Sequence, residues 1–190
     1  MKHYTSQVKI IGGDWRGRKL KFPSTVQQLR PTPARIRETL FNWLSPVIDG
    51  ARCLDLYAGS GALGVEALSR GAADVTFVES DIVSARLLQQ NLTRLGSSSK
   101  VYTMDARRFV RQVGGKWDIV FLDPPYRHGI LQQILRFLHD KDSLAKGALV
   151  YIEAERELGE VNLPTGWQYI KTRQAGQVKY FLAVNNQEEN

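Results

Sequence analysis

The stretch LDLYAGSGALGVEALSR, residues 54–70, decides the fold, because an apolar strand runs into a glycine loop and then into an apolar helix. Gly59, Gly61 and Gly64 form a GxGxxG pattern, in which glycines permit a sharp turn and the close approach of a ligand. Glu79 lies twenty residues beyond Gly59 at the end of the run VTFVE, where an acid can accept hydrogen bonds from both hydroxyls of a ribose. The pattern predicts an adenosine-containing cofactor and by itself leaves NAD open.

The sequence on both sides of this stretch alternates between apolar runs and helix-length segments. The runs occupy residues 52–57, 74–79, 100–104, 117–122 and 148–153. This alternation predicts an α/β fold, with a doubly wound parallel sheet, helices on both faces and ligands at the carboxyl ends of the strands. WQYIKTR and QVKYFLAV, at residues 167–173 and 177–184, then predict an antiparallel hairpin at one edge.

Two further acids favour S-adenosylmethionine (SAM) over NAD. Asp55 lies within the strand before the glycine loop, where a carboxylate can hold the cationic amino-acid part of SAM and would repel a pyrophosphate. Asp105 follows the run KVYTM and can accept from an adenine amino group. A helix N-cap for ARRFVRQV is an equally good interpretation of Asp105, and both roles can coexist.

The segment WDIVFLDPPY, residues 117–126, predicts a site for a flat amino group. The Asp123 carboxylate and the Pro124 carbonyl can accept its two N–H bonds, while the Tyr126 ring stacks on the base. Pro124 and Pro125 stiffen the turn that carries these acceptors. The alternative is an ordinary Pro-Pro loop with an exposed aspartate.

The net charge of +7 is concentrated near the N-terminus. Residues 1–40 contain nine Lys and Arg against two acids, and the other residues are balanced at 17 each. Such asymmetry predicts a polyanionic partner, although a solvated basic face without a partner has the same composition. Residues 8–22 predict two short strands around a turn that projects Trp15, Arg16 and Arg18 outward.

A helix follows the hairpin. Thr32 and Pro33 give a start signal, and an apolar stripe continues to about residue 45. The stripe consists of Ile36, Leu40, Phe41, Trp43 and Leu44. We expect Phe41 and Trp43 to belong to the core.

Composition indicates one main domain. The chain has 190 residues, a mass of 21.5 kDa and 43% hydrophobic residues, and its polar N-terminus and short apolar runs predict a cytoplasmic protein. Cys53 has no cysteine partner and is expected as a buried thiol. The three histidines lack metal-ligand spacing, so we predict no metal. The tail at residues 185–190 is expected to be disordered.

These motifs resemble a known family. LDLYAGSGALGVEALSRGA and VESD are similar to the first two motifs of class I SAM-dependent methyltransferases, and DPPY is similar to the catalytic motif of amino-directed members. IIGGDWRGRKLKF and LRPTPARIRETLFNWL resemble the RsmD family of bacterial 16S ribosomal RNA guanine-N2 methyltransferases. The resemblance covers most of residues 8–184, and the N-terminal block is its most specific part. Ala34 departs from it, since many members have an acid there.

The resemblance implies a seven-stranded Rossmann-like sheet and methylation of one guanine of 16S rRNA in assembled or assembling small subunits. It divides the chain into a basic RNA-binding extension (1–45), a methyltransferase domain (46–184) and a tail. The predicted catalytic residues are Asp123, Pro124, Pro125 and Tyr126. Predicted cofactor-binding residues are Asp55, Tyr57, Gly59, Ser60, Gly61, Glu79, Ser80, Asp105 and Ala106. Predicted RNA-binding residues are Arg16, Arg18, Lys19, Arg30, Arg35 and Arg37.

Rival functions remain open. DPPY-type loops also serve adenine N6 in DNA and glutamine amides, although no separate target-recognition domain is visible. A NAD-dependent oxidoreductase would need a substrate domain that 190 residues barely accommodate. A non-catalytic RNA-binding assembly factor would not need the intact DPPY segment. We expect a monomer.

Overall fold

The computed structural model describes residues 5–24, 31–125, 129–158 and 161–186. Nine strands and five helices are assigned in these residues, with a short 3-10 turn at Arg156–Leu158. The strands are β1 (Thr5–Lys9), β2 (Lys19–Pro23), β3 (Arg52–Asp55), β4 (Asp74–Glu79), β5 (Val101–Thr103), β6 (Trp117–Leu122), β7 (Leu144–Glu155), β8 (Trp167–Ala175) and β9 (Val178–Asn185). The helices are α1 (Ala34–Leu44), α2 (Ala62–Ser69), α3 (Ile82–Leu95), α4 (Ala106–Gln112) and α5 (Ile130–Asp140).

Seven strands form one twisted sheet in the order β5-β4-β3-β6-β7-β9-β8. The first five are parallel, and β9 is antiparallel to both β7 and β8. The parallel α/β sheet with a C-terminal edge hairpin is therefore confirmed. β7 is longer than the predicted run at 148–153. The prediction was too short because Lys146 and Gly147 interrupt the apolar pattern, at the place where the register with β6 shifts.

Alternating residues of the central strands fill two cores. Ile119 and Phe121 of β6 belong to the core beneath α1, α2 and α3, whereas Val120 and Leu122 belong to the core beneath α4 and α5. Burial on both faces explains why β6 reads as a continuous apolar run. β6 ends at Leu122, and Asp123 is the first residue beyond it.

Helix α1 belongs to the same core as the sheet. Leu40, Phe41 and Leu44 have 0% exposure, and the Phe41 ring lies 6.1 Å from the Phe121 ring. The Trp43 ring stacks on Tyr180 at 5.6 Å. Phe41 lies in the core as predicted, and Trp43 is partly buried and packs against that core. This packing holds the residues before α1 against the carboxyl end of the sheet.

The small hairpin of β1 and β2 packs on α3. The Asn91 side chain donates to the Lys21 carbonyl at 2.8 Å and accepts from the Lys21 amide at 3.2 Å, in the way a neighbouring strand would. The two predicted strands are confirmed. Trp15 corrects our expectation of an outward residue, since it is only partly exposed and packs against the core. A large aromatic surface gains more from burial than from solvent exposure.

Cys53 is buried at 1% exposure, and burial raises the pKa of its thiol, which makes it unreactive. Asn185 is the buried last residue of β9 and so lies in the sheet, where we had expected the tail. Residues 187–190 lie outside the described residues. Over the described ranges, no helix has the length and apolar character needed to cross a membrane, and no three potential ligands cluster around a metal position.

Candidate active site at the carboxyl end of the sheet

The glycine loop joins β3 to α2. Gly59 and Gly61 have φ angles of 51° and 77°, a backbone region that residues with a side chain rarely adopt. Gly64 has a different role, because a Cβ there would lie 2.3 Å from the Phe77 ring. Two glycines of the motif therefore shape the ligand side of the loop, and the third lets α2 pack closely on the sheet.

Glu79 ties this loop to the end of β4. Its Oε2 accepts from the Gly59 amide at 2.7 Å, and its Oε1 accepts from the Asp81 amide at 2.7 Å. The side chain is half-buried, and this burial raises its pKa against the opposing effect of the amides. Each carboxylate oxygen keeps a second lone pair. The geometry allows Glu79 to accept from ribose hydroxyls without releasing the loop.

Asp55 is buried beneath the loop at 3% exposure. Its Oδ2 accepts from the Gly64 amide at 3.0 Å, so the carboxylate also holds the start of α2 in place. Burial raises the pKa of Asp55 to about 7, and the negative charge of Glu79 adds to the rise. A positively charged ligand at this end of the sheet would relieve both carboxylates, which is a property of the methionine part of SAM.

Asp105 caps helix α4. Its Oδ1 accepts from the Arg107 and Arg108 amides at 3.0 and 3.2 Å, and its carboxylate pairs with the Arg107 guanidinium. The Arg107 hydrogen bond is the largest cause of the lowered pKa of Asp105. The N-cap interpretation is confirmed. Contact with an adenine stays a prediction, in which the exposed carboxylate would keep its cap bonds.

The remaining predicted cofactor residues line the same end of the sheet. Tyr57 is half-buried beside the second core, and its pKa is raised by burial and by the charge of Asp105. Ser60 and Ala106 are buried. Ser80 is exposed next to Glu79.

Asp123 follows β6 directly and lies among acids. It is half-buried, Pro124 is buried and Pro125 is exposed, whereas Tyr126 lies outside the described residues. Burial raises the pKa of Asp123 well above its ordinary value, and the charges of Glu153 and then Asp55 add to the rise. Asp55 pairs with Phe121 in the parallel register of β3 and β6, so the DPPY segment begins at the same end of the sheet as the glycine loop. A methyl transfer requires this juxtaposition.

Sequence reasoning missed three residues behind Asp123. The Thr32 hydroxyl donates to Glu153 Oε1 at 2.8 Å and lies 3.5 Å from Asp123 Oδ2, and the Tyr151 hydroxyl donates to the same Glu153 oxygen at 2.8 Å. Thr32, Tyr151 and Glu153 are at most 5% exposed. A signal existed, because a glutamate inside the apolar run LVYIEA is unusual for a buried strand.

Four of the predicted RNA-binding residues are exposed, three on the hairpin and one on α1, and we refer to them as the basic face. These are Arg16, Arg18, Lys19 and Arg35. Arg30 lies outside the described residues. Arg94 on α3, which we did not predict, lines a groove of about 240 Å³ together with Arg18 and Lys19. Its position next to β2 could not be known before the hairpin was placed on α3.

Arg37 corrects the predicted RNA-binding set. It is 2% exposed, pairs with Glu66 at 3.3 Å and donates to the backbone carbonyls of Lys9 and Thr32. Burial lowers its pKa, while Glu66 opposes that effect. Its spacing of four and seven residues from Phe41 and Leu44 places it on the buried face of α1, and this spacing was readable in the sequence.

The chain is similar to known proteins over nearly its whole length. A family model described as "Conserved hypothetical protein 95" matches residues 8–184. The chain is 48% identical to "Ribosomal RNA small subunit methyltransferase D" of Escherichia coli strain K12 over 94% of this chain and 90% of that protein. Its Haemophilus influenzae counterpart is 42% identical over 94% of both. The solved structure of yhhF from Escherichia coli has a TM-score of 0.90 and 46% identity, covering 96% of this chain and all of that one.

Proposed function

Because the chain belongs to the family described as "Conserved hypothetical protein 95", which is the RsmD family, we propose that it is a SAM-dependent methyltransferase of small-subunit ribosomal RNA. The methyl group goes to the exocyclic N2 of one guanine in 16S rRNA. The curated relatives carry the name of a small-subunit rRNA methyltransferase over nearly the whole chain. The guanine, its N2 atom and the assembly stage of the particle are part of the proposal because the resemblance to the RsmD family implies them.

The observation that carries the proposal is the proximity of Asp123 to Asp55. One carboxylate follows the strand that leads to the amino-binding turn, and the other lies beneath the glycine loop. Asp55 pairs with Phe121 in the parallel register of β3 and β6, so Asp123 follows at the same end of the sheet. The charge of Asp55 adds to the raised pKa of Asp123, after burial and the charge of Glu153. This arrangement supports a cofactor and a flat amino group being held side by side.

SAM supplies an electrophilic methyl group on a sulfonium. In our proposal Glu79 accepts from the ribose hydroxyls, Gly59 and Gly61 let the backbone approach the ligand, and Asp55 compensates its positive charge. Asp105 binds the adenine end. Tyr57, Ser60, Ser80 and Ala106 complete the wall of this pocket.

The guanine must leave its base stack, because its N2 is inaccessible in paired RNA. We assign to the Asp123 carboxylate and the Pro124 carbonyl the two N–H bonds of the exocyclic amine, and to Tyr126 the stacking on the ring. An exocyclic amine is a weak nucleophile, so alignment is the main contribution, and proximity can supply roughly 7 to 11 kcal/mol in favourable cases. Pro125 keeps the turn rigid.

The basic face would hold the RNA backbone. Arg16, Arg18, Lys19 and Arg35 contact phosphates in this proposal, together with Arg30 and with Arg94 at the groove. Such contacts orient the RNA and do not read its sequence. We further propose that the protein acts as a monomer in the cytoplasm, on assembled or assembling small subunits.

The experiment is transfer of labelled methyl from SAM to small subunits isolated from a strain that lacks this protein. We expect label in 16S rRNA and N2-methylguanosine after digestion to nucleosides. Label in N6-methyladenosine or in protein would replace the guanine with one of the alternative amino targets. If neither the small subunits nor naked rRNA receives label, the proposal is refuted. Equilibrium binding of SAM compared with NAD identifies the cofactor independently.

A further inference from the structure

Behind Asp123, a continuous line of hydrogen-bonding groups leads into the protein. Asp123 Oδ2 and Glu153 Oε1 lie 3.5 and 2.8 Å from one atom, the Thr32 hydroxyl oxygen. The Tyr151 hydroxyl donates to the same Glu153 oxygen at 2.8 Å. Glu153 is 5% exposed and Tyr151 is fully buried, so this line has its open end at Asp123.

The line of Asp123, Thr32, Glu153 and Tyr151 has few protons for its number of oxygen atoms. Thr32 and Tyr151 each have one hydroxyl proton, and both donate to the same Glu153 oxygen. Two carboxyl groups that share one hydroxyl neighbour away from water repel each other when both are ionised. Burial raises the pKa of both Asp123 and Glu153, and the charge of Glu153 further raises that of Asp123. The pair therefore takes up a proton readily.

We propose that Thr32 and Glu153 are positioning residues that act through Asp123 and receive the proton that the exocyclic amine loses on methylation. This inference rests on the proposed function. Asp123 accepts the amine proton, then passes its carboxyl proton to the Thr32 oxygen while the Thr32 proton moves to Glu153 Oε1. Asp123 is then ionised again, and Glu153 holds the proton until the product leaves.

The step is balanced in atoms and electrons. The nitrogen lone pair forms the new N–C bond, and the electrons of the broken S–C bond stay on sulfur. The electrons of the broken N–H bond return to nitrogen, and its proton ends on Glu153. No oxidant or further reactant is needed. The reactive form is the one with both carboxyl groups ionised, so methyl transfer rises with pH through the pKa of the pair.

Among the described residues, Asp55, Tyr180 and Arg37 also act on this group of side chains. Asp55 at the end of β3 interacts with Asp123, and Tyr180 of β9 interacts with Tyr151. Arg37 of α1 donates to the backbone carbonyl of Thr32 and so fixes the residue that links the two acids. Asp55 belongs to the cofactor pocket and therefore shifts the pH profile of every variant below in the same way.

Two substitutions should move the pH profile in opposite directions. Glu153→Gln removes the charge that raises the pKa of Asp123, so the acidic limb of single-turnover methyl transfer moves to lower pH. Tyr151→Phe removes the hydrogen bond that lowers the pKa of Glu153, so the limb moves to higher pH. Loss of packing alone would lower both rates and leave the midpoints unchanged, and that result would overturn the proposal.

Thr32 provides a matched pair of variants. Thr32→Val keeps the shape and removes the hydroxyl, and we expect single-turnover transfer to fall about tenfold or more at neutral pH. Thr32→Ser keeps the hydroxyl and should restore near wild-type transfer. Equal rates in Val and Ser variants would contradict the relay. If the wild-type enzyme itself transfers no methyl to RNA, the proposed function fails, and this proton pathway fails with it.

The pH dependence of stability tests the proton on Glu153 in the free protein, without RNA. The pKa of Glu153 is raised in the folded state, so the folded protein loses stability relative to the unfolded chain as pH rises above the ordinary value of 4.5. Glu153→Gln should reduce this loss, and the variant should gain melting temperature relative to wild type between acidic and neutral pH. A constant difference across that range would show that Glu153 holds no proton.

Discussion

Glu66 and Glu153 are both buried carboxyl groups, but their neighbours differ in charge. Glu66 contacts the guanidinium groups of Arg37 and Arg70 at 3.3 and 2.9 Å, whereas Glu153 accepts from the hydroxyls of Thr32 and Tyr151. The two guanidinium groups compensate the charge of Glu66, and we refer to this cluster of Glu66, Arg37 and Arg70 as the joint. Hydroxyls at Glu153 leave its charge uncompensated, so that it can exchange a proton.

The joint at Glu66 attaches the N-terminal segment to α2. Its two oxygens also accept from the amides of Ile11 and Gly12 at 2.9 and 2.7 Å, and the neighbouring Ser69 hydroxyl donates to the Gly12 carbonyl. The basic face is thereby fixed relative to the sheet. A rigid attachment matters for the proposed function, in which a flipped base reaches Asp123 while phosphates are held elsewhere.

Asp123→Ala tests the acidic side of this comparison and should have the largest effect. We expect single-turnover methyl transfer to fall about a hundredfold to ten-thousandfold, because alignment and proton acceptance are lost together. SAM binding should remain. Asp118→Ala, at the other end of β6, is the matched control and should retain transfer. Near-normal turnover in Asp123→Ala would defeat the assignment of the amino-binding turn.

Glu66→Gln tests the joint. Removing one charge of a buried ion-pair cluster leaves Arg37 and Arg70 uncompensated, so we expect a loss of about 3 to 5 kcal/mol in the free energy of unfolding. Chemical denaturation measures this loss. Asp118→Asn breaks the exposed pair with Arg52 and should cost less than about 1 kcal/mol. Equal losses in the free energy of unfolding of the two variants would show that Glu66 contributes no more to stability than an exposed ion pair does.

Asp55→Asn should weaken SAM binding and yet stabilise the free protein at high pH. The pKa of Asp55 is raised to about 7, so wild-type stability falls as pH rises from the ordinary 3.8 to about 7 and is then level. One pKa unit corresponds to about 1.4 kcal/mol, so the gain at pH 8 can reach a few kcal/mol. Melting temperatures at pH 5 and pH 8, with calorimetric titration of SAM, measure both effects. A variant that loses stability at pH 8 would show that Asp55 is stabilised when ionised.

The same contrast explains what could be predicted from the sequence. The strands, the glycine loop and Asp55, Glu79 and Asp123 follow from local apolar runs and from the rule that ligands bind at the carboxyl ends of parallel strands. Thr32 and Glu153 could not be paired in advance, because 121 residues separate them and their contact depends on how α1 packs. Arg37 was assigned from charge, which does not distinguish an exposed cation from a buried one.

Neutralising the basic face should have the smallest effect per residue. In the triple variant Arg16→Gln, Arg18→Gln and Lys19→Gln, RNA affinity should fall, and the salt dependence of binding should flatten by about two to three units of slope, since each phosphate contact contributes about 0.7 to 0.9. Binding at several salt concentrations measures this slope. The control is the double variant Lys171→Gln and Arg173→Gln, which removes positive charge but leaves the basic face intact. Both residues are exposed on β8 at the far edge of the sheet. Arg37→Gln should instead destabilise the fold, because its guanidinium is already used by Glu66. An unchanged slope in the triple variant would contradict RNA binding at the basic face. The attachment of this face through Glu66 would then have no role in RNA binding.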